Sequence, residues 1–310
     1  MKKGILICGH GSRDKEGVDG FKELVHHLQI RYPEYMVDYG FLEFAHPVYA
    51  AAVERLYVAG VREIIAVPAI LFAGGHAKND IPFEINTLQS QYKDLKITLT
   101  RHLGVSSFLL ELGAKLINET EQKLSFQERS ATCLLVIGRG TADPDANSDV
   151  VKFTRMLWEG MGFGFATTAF IGVTKPLLKD TLPLVDLLPF NRIIVLPVFL
   201  FTGILLKKIF NQVEEYKDKT TKEIVYTSSF EADELLLKTI DERILEAIHG
   251  NPNMNCQLCK YRTQIVGFEN EVGKEQVGHH LNVKGILFEE DDKVTKEKKL
   301  IKGVKRIFGI

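Results

Sequence analysis

The amino-acid sequence is written twice. Residues 134–141, Leu-Leu-Val-Ile-Gly-Arg-Gly-Thr, lie over residues 5–12, Ile-Leu-Ile-Cys-Gly-His-Gly-Ser, at an offset of 129. The same offset carries Phe41-Leu42 onto Phe170-Ile171, Pro47 onto Pro176, Ile64-Ile65 onto Ile193-Ile194, and residues 68–74 onto 197–203. Near the end the offset becomes 127, with Thr100 over Thr227 and Leu109-Leu110 over Leu236-Leu237, as a change of loop length produces. Separated blocks agreeing in one register mean one folding unit used twice.

Within the first copy the unit reads as alternating strands and helices. Residues 5–8 are an apolar run that enters a Gly-x-Gly-Ser turn, with Asp19 placed to cap a helix over 19–29 whose stripe is Phe21, Leu24, Val25 and Leu28. A strand is expected over 36–44, and Pro47 reads as the first residue of an Ala-rich helix closed by Gly60. A buried strand over 63–72, a helix over 81–92, a strand over 95–100 and a helix over 106–118 complete it. This alternation predicts a parallel sheet covered by helices on both faces. The fold class is therefore α/β: two homologous parallel-sheet α/β lobes, 1–124 and 125–248, and a C-terminal tail, 249–310.

Comparing the copies separates scaffold from chemistry. Strands, prolines and glycine turns recur, but His10 becomes Arg139, Glu43 becomes Gly172 and His76 becomes Leu205. All three unrepeated residues fall just past strand ends, the edge of an open α/β sheet where ligands bind. Two imidazoles and a carboxylate suit a divalent first-row metal while leaving coordination positions open, and the same groups exchange protons near neutral pH. The site is thus expected in the first lobe, as a metal or acid/base centre. Around it stand Ser12, Arg13, Lys78 and, from the other lobe, Arg139, Lys207 and Lys208, the lysines reading more readily as solvated surface. Such a cleft suits a ligand with several carboxylates.

Composition narrows the partners. A net charge of -1 gives no basic face for nucleic acid, and no apolar run reaches the ~18 residues of a membrane span. The Met-Lys-Lys start runs directly into a strand, without a cleavage site, so a cytoplasmic chain is expected. Cys8 and Cys133 sit in apolar strands and Cys256-x-x-Cys259 stands alone, which is no disulfide framework and fits a reducing compartment.

Three spaced motifs, Gly9-His10-Gly11-Ser12-Arg13, Glu43-Phe44-Ala45-His46-Pro47 and the run from Val67-Pro68 through Phe72-Ala73-Gly74-Gly75-His76-Ala77-Lys78-Asn79-Asp80, resemble those of the class II tetrapyrrole chelatases. Within these the resemblance is to the sirohydrochlorin chelatases of the cobalamin and siroheme pathways, over residues 1–248. It implies insertion of a divalent metal into sirohydrochlorin with loss of two pyrrolic protons. His10 and His76 match the metal-binding, proton-accepting residues, and Glu43 assists as ligand or base. Cobalt is the favoured metal; iron and nickel suit the same ligands. A ferrochelatase of siroheme synthesis and a non-enzymatic metal-delivery protein are the competing readings.

The Met-x-Cys-x-x-Cys tail resembles that of long-form cobaltochelatases, some of which hold an iron–sulfur centre there, with Cys256 and Cys259 as its matching ligands. Two thiolates fall short of the four ligands such a centre takes. The remainder would be His279 and His280, or a second cysteine pair across a homodimer. A helical stripe of Leu300, Ile301, Val304, Ile307 and Phe308 in the lysine-rich end is expected to pack on a lobe.

Overall fold

The computed structural model describes residues 2–253, 259–274, 281 and 283–285. Each half of the chain forms a four-stranded, all-parallel sheet. In the first, β1 (Lys2–Gly9) lies between β2 (Met36–Phe41) and β3 (Val61–Pro68), with β4 (Lys96–Leu99) outside β3. In the second, β5 (Thr132–Gly138) lies between β6 (Phe165–Phe170) and β7 (Arg192–Pro197), with β8 (Glu223–Tyr226) outside. Ile5, Leu6, Ile7 and Cys8 are fully buried, as an unbroken apolar run in a strand covered on both faces must be. The chain leaves β1 for β2 on one side and returns to β3 on the other, which opens a crevice at the carboxyl ends of β1 and β3.

The helices are α1 (Lys15–Arg31), α2 (Tyr49–Val58), α3 (Ile81–Gln91), α4 (Ser107–Glu121), α5 (Pro144–Met161), α6 (Leu178–Asp186), α7 (Ile204–Lys217) and α8 (Glu234–Ile248). Two starts differ from expectation. The cap of α1 is Asp14, whose carboxylate accepts from Glu16 N at 3.1 Å, while Asp19 lies exposed on the helix surface. The extra turn is held by Gly17, buried where an added Cβ would come within 2.5 Å of the Thr202 carbonyl of the second half, a contact no local pattern reveals. Pro47 does not open α2. Its carbonyl accepts from Phe41 N at 2.8 Å, so the loop folds back on β2 and the helix begins two residues later, at Tyr49.

The halves exchange their last helices. α4 packs on α5 and β7 of the second half, whereas α8 packs on β3 and α1 of the first, and α4 and α8 meet each other. Gly113 makes the first approach close: a Cβ there would lie 3.0 Å from Phe153 and 3.2 Å from Leu157. One apolar cluster consequently runs through both halves, from Ile5, Phe21 and Leu24 to Phe153, Leu157, Ile240 and Ile244. Ion pairs fix its rim, among them Arg31 with Glu234 at 2.8 Å and Arg101 with Glu246 at 2.6 Å. The described part of the tail returns to the first lobe. His46 donates Nε2–H to the Gly285 carbonyl at 2.7 Å, and Lys284 pairs with the buried Glu84. No helix among the described residues is long and apolar enough to cross a membrane.

Candidate metal centre

His10 is the first residue after β1. Its neighbour Gly11 takes φ +95°, and a Cβ there would stand 1.8 Å from the Glu43 carbonyl, so glycine alone lets the loop after β2 lie on the loop after β1. That loop is tied down by Glu43 N, which donates to the His10 carbonyl at 2.9 Å. Phe44, at φ 57°, turns the chain immediately afterwards. The second half keeps the same device, with Gly140 at φ +83°, Val173 at φ 64°, and the Gly172 carbonyl in the place of that of Glu43.

His10 donates Nδ1–H to the Gly11 carbonyl at 2.9 Å, which fixes the neutral tautomer and leaves the Nε2 lone pair toward the crevice. Nε2 is buried without a hydrogen-bond partner and lies 3.6 Å from Glu43 Oε2. A ring nitrogen without a hydrogen-bond partner beside a buried carboxylate fits the donor set of a metal site. Burial, followed by the fields of His76 and Arg139, pushes the His10 pKa down to about 3, against the raising effects of the Gly11 carbonyl and Asp80. His10 is therefore an unprotonated imidazole at neutral pH, the form that binds metal.

His76 opens a five-residue π-turn, His76–Asp80, that runs directly into α3. Its ring stands edge-on to that of His10, with centroids 4.6 Å apart. Its Nδ1 is 2.7 Å from Asp80 Oδ2, and Asp80 in turn accepts from Asn79 Nδ2 at 2.9 Å. Asp80, only 1% exposed, thus orients His76 so that Nε2 is the nitrogen left for a ligand. One ligand atom each from His10, Glu43 and His76 lie within 4.8 Å of one another, close enough to share an ion.

His10 and His76 line a cleft of about 710 Å³ between the lobes, with Glu43 buried behind them. Phe21, Phe41, Phe44, Ile70 and Phe72 wall it from the first lobe, and Phe199, Phe201, Leu205 and Leu206 from the second. Arg13 and Arg139 bring positive charge to it; Arg13 Cζ sits 4.6 Å from the Phe44 ring centroid. Arg139 is solvent-accessible from the cleft yet enclosed by its walls, and this loss of bulk water lowers its pKa while Glu43 acts in the opposite direction.

A family model described as CbiX matches residues 4–120 and again 133–247. The chain belongs to the CbiX family. It is 32% identical over 280 residues to the sirohydrochlorin cobaltochelatase of Priestia megaterium, covering 90% of this chain and 88% of the relative. A sirohydrochlorin ferrochelatase of the same organism is 29% identical over 211 residues, covering 68% and 78%. The solved structure described as SirB from Bacillus subtilis with Fe3+ superposes with a TM-score of 0.73 at 23% identity, over 82% of this chain and all of that one, and shares its fold.

Within the CbiX repeat the remaining expected residues take different places. Ser12 lines the cleft, but its Oγ already accepts from Asp14 N at 3.0 Å and so shapes the turn into α1. Lys78 was expected beside a substrate carboxylate; its ammonium instead lies buried on Asp143 and Asp145 of the second lobe. Lys207 makes an ion pair with Asp14 and Glu16. Asp80 went unread in the sequence, although its spacing of four from His76 places both on one face of a helical turn. In the tail, Cys259 is buried and belongs to no cluster of metal-binding groups among the described residues, so these alone do not fit an iron–sulfur centre. Cys256, His279, His280 and the stripe of residues 300–308 lie outside the described residues.

Proposed function

We propose that this chain inserts a divalent metal ion into sirohydrochlorin, with cobalt as its metal. The observation that carries the reading is the convergence of His10, Glu43 and His76 within 4.8 Å, where both imidazoles line a cleft with apolar walls and two arginines. A flat macrocycle presents apolar faces, which the phenylalanine and leucine walls accept, and peripheral carboxylates, which Arg13 and Arg139 meet. The metal is a substrate, and three protein ligands leave coordination positions that macrocycle nitrogens occupy in turn. A site with four closed ligands would hold its ion and not release it.

The charge balance sets the remaining roles. A divalent ion entering the macrocycle displaces two N–H protons, so the protein must take up protons where it gives up metal. His10, held neutral by burial, serves as ligand and is a poor resting place for the first proton. His76 is better placed: a proton arriving at Nε2 makes an imidazolium whose Nδ1–H already points at the Asp80 carboxylate. Glu43 offers a carboxylate 3.6 Å from His10, as ligand before transfer and as second acceptor afterwards. Both cleft walls come from one chain, so a second copy is not needed to complete the site. The reading carries with it a reducing, cytoplasmic setting, in keeping with the unpaired Cys8 and Cys133.

Support for cobalt over iron comes from the extent of likeness. The match to the cobaltochelatase covers 280 residues and so runs past the end of α8 at Ile248 into the tail, whereas that to the ferrochelatase covers 211. The test is anaerobic incubation of the purified chain with sirohydrochlorin and Co2+, Fe2+ or Ni2+, following the absorbance change of metallation. Co2+ is expected to react fastest. Faster insertion of Fe2+ would make the chain a ferrochelatase, and no insertion above a protein-free control would leave a metal-delivery protein.

A further inference from the structure

Lys78 and Lys207 occupy the same position in the two copies, and they make the same contact in opposite directions. Lys78 Nζ reaches Asp143 Oδ2 at 2.8 Å and Asp145 Oδ2 at 2.9 Å, and Lys207 Nζ reaches Asp14 Oδ2 and Glu16 Oε2, each at 2.7 Å. Asp143 and Asp14 are the caps of α5 and α1, and each accepts from the backbone N–H two residues on. Each lobe therefore pins the other through a lysine laid across a helix start.

The two latches differ in their surroundings. The Lys78 and Asp143 side chains are 2% and 3% exposed, whereas Lys207 is 49% exposed. The open latch sits in a regular α-helix behind Leu205, the buried one in the π-turn that begins at His76. Association of the lobes alone does not call for burial, since Lys207 makes the contact in solvent. A buried lysine with two carboxylates resists displacement, because moving it strands charge away from water. The second lobe also lies against the entry to this turn, where the atoms nearest a Cβ at Gly74 would be those of Thr141.

We infer that Lys78 is a positioning residue for His76: by anchoring the π-turn to Asp143 and Asp145, the second lobe, which lacks the metal-binding groups, sets where the His76 imidazole stands relative to His10 and Glu43. The inference rests on the reading that His76 binds the metal substrate. It makes the two lobes unequal partners, one supplying ligands and the other their geometry.

The test compares Lys78→Met with Lys207→Met in the full chain, using Co2+ alone as probe. Lys78→Met should weaken Co2+ binding by about tenfold or more, as loss of a residue supporting a metal ligand does, and alter the d–d absorption of bound Co2+. It should also lower kcat for insertion with KM for sirohydrochlorin little changed. Lys207→Met should move none of these. A folded Lys78→Met protein with wild-type Co2+ affinity and spectrum overturns the inference, as does an equal loss in Lys207→Met, which would mark both latches as general lobe contacts. If Lys78→Met does not fold, Asp145→Asn, at the part-exposed carboxylate, is read by the same two outcomes. A wild-type chain that inserts no metal defeats the functional reading itself, whereas active wild type with unchanged latch variants defeats only the positioning role.

Discussion

His76 Nδ1 lies 2.7 Å from Asp80 Oδ2 within a single π-turn, so the same five residues carry an imidazole of the proposed metal site and the carboxylate that aims it. The pair gives the site a fixed tautomer before any ion arrives. The rest of the proposed chemistry depends on that orientation, and on His10 being held in the same way, through Nδ1 on the Gly11 carbonyl with Nε2 left for a ligand.

Asp80→Asn should therefore lower Co2+ affinity by about 10- to 100-fold while the chain remains folded, since an amide orients the ring less firmly and does not balance an imidazolium. His10→Ala and His76→Ala should lose more, each removing a ligand outright. Isothermal titration with Co2+, alongside circular dichroism, checks this order; equal affinity in Asp80→Asn and wild type would mean that His76 is not a ligand.

The glycines after β1 and β5 make a matched pair of tests. Gly11→Ala and Gly140→Ala each place a Cβ about on top of a carbonyl, 1.8 Å from that of Glu43 and 2.0 Å from that of Gly172, at φ +95° and +83°. Both should destabilise the chain by about 2 kcal/mol or more in urea unfolding. Only Gly11→Ala displaces Glu43, so only it should lose Co2+ affinity in the protein that stays folded. A similar loss in Gly140→Ala would place Glu43 outside the site.

The half-buried His10 gives stability a pH dependence whose sign follows from its lowered pKa. Its pKa is about 3 in the folded chain, and that of an unfolded histidine is about 6.5. Between these values the unfolded chain binds a proton that the folded chain refuses, so folding is favoured above pH ~6.5 and weakens as pH falls toward ~3. The contribution from this residue is at most about 1.4 kcal/mol per pH unit. Urea melts of wild type and His10→Asn between about pH 7 and pH 4 should diverge accordingly. Parallel curves would show that the ring is not held neutral.

Arg139→Gln should mainly raise the sirohydrochlorin concentration needed, by about 10- to 100-fold in KM, the range expected for one charge-assisted hydrogen bond, with kcat little altered. Leu205→Ala, at the position where the second copy lacks His76, should leave Co2+ binding intact. Steady-state insertion kinetics separate these outcomes, and a collapse of kcat in Leu205→Ala would move the metal to the other lobe.

The sequence by itself determined the repeat, the parallel sheets and the sheet edge at which His10, Glu43 and His76 stand. These are consequences of local periodicity: a buried strand shows as an apolar run, and the residues that follow it fall at its carboxyl end. It also singled out the lobe with the unrepeated residues, because two copies of one scaffold reveal which side chains the scaffold does not require. Tertiary structure alone decided that α4 and α8 change places, that α1 begins at Asp14, and that Lys78 faces Asp143 and not the cleft. An apolar stripe states that a face is buried without saying against what, and a lysine reads as solvated until its counter-charge, here 65 residues away on the other lobe, is brought beside it.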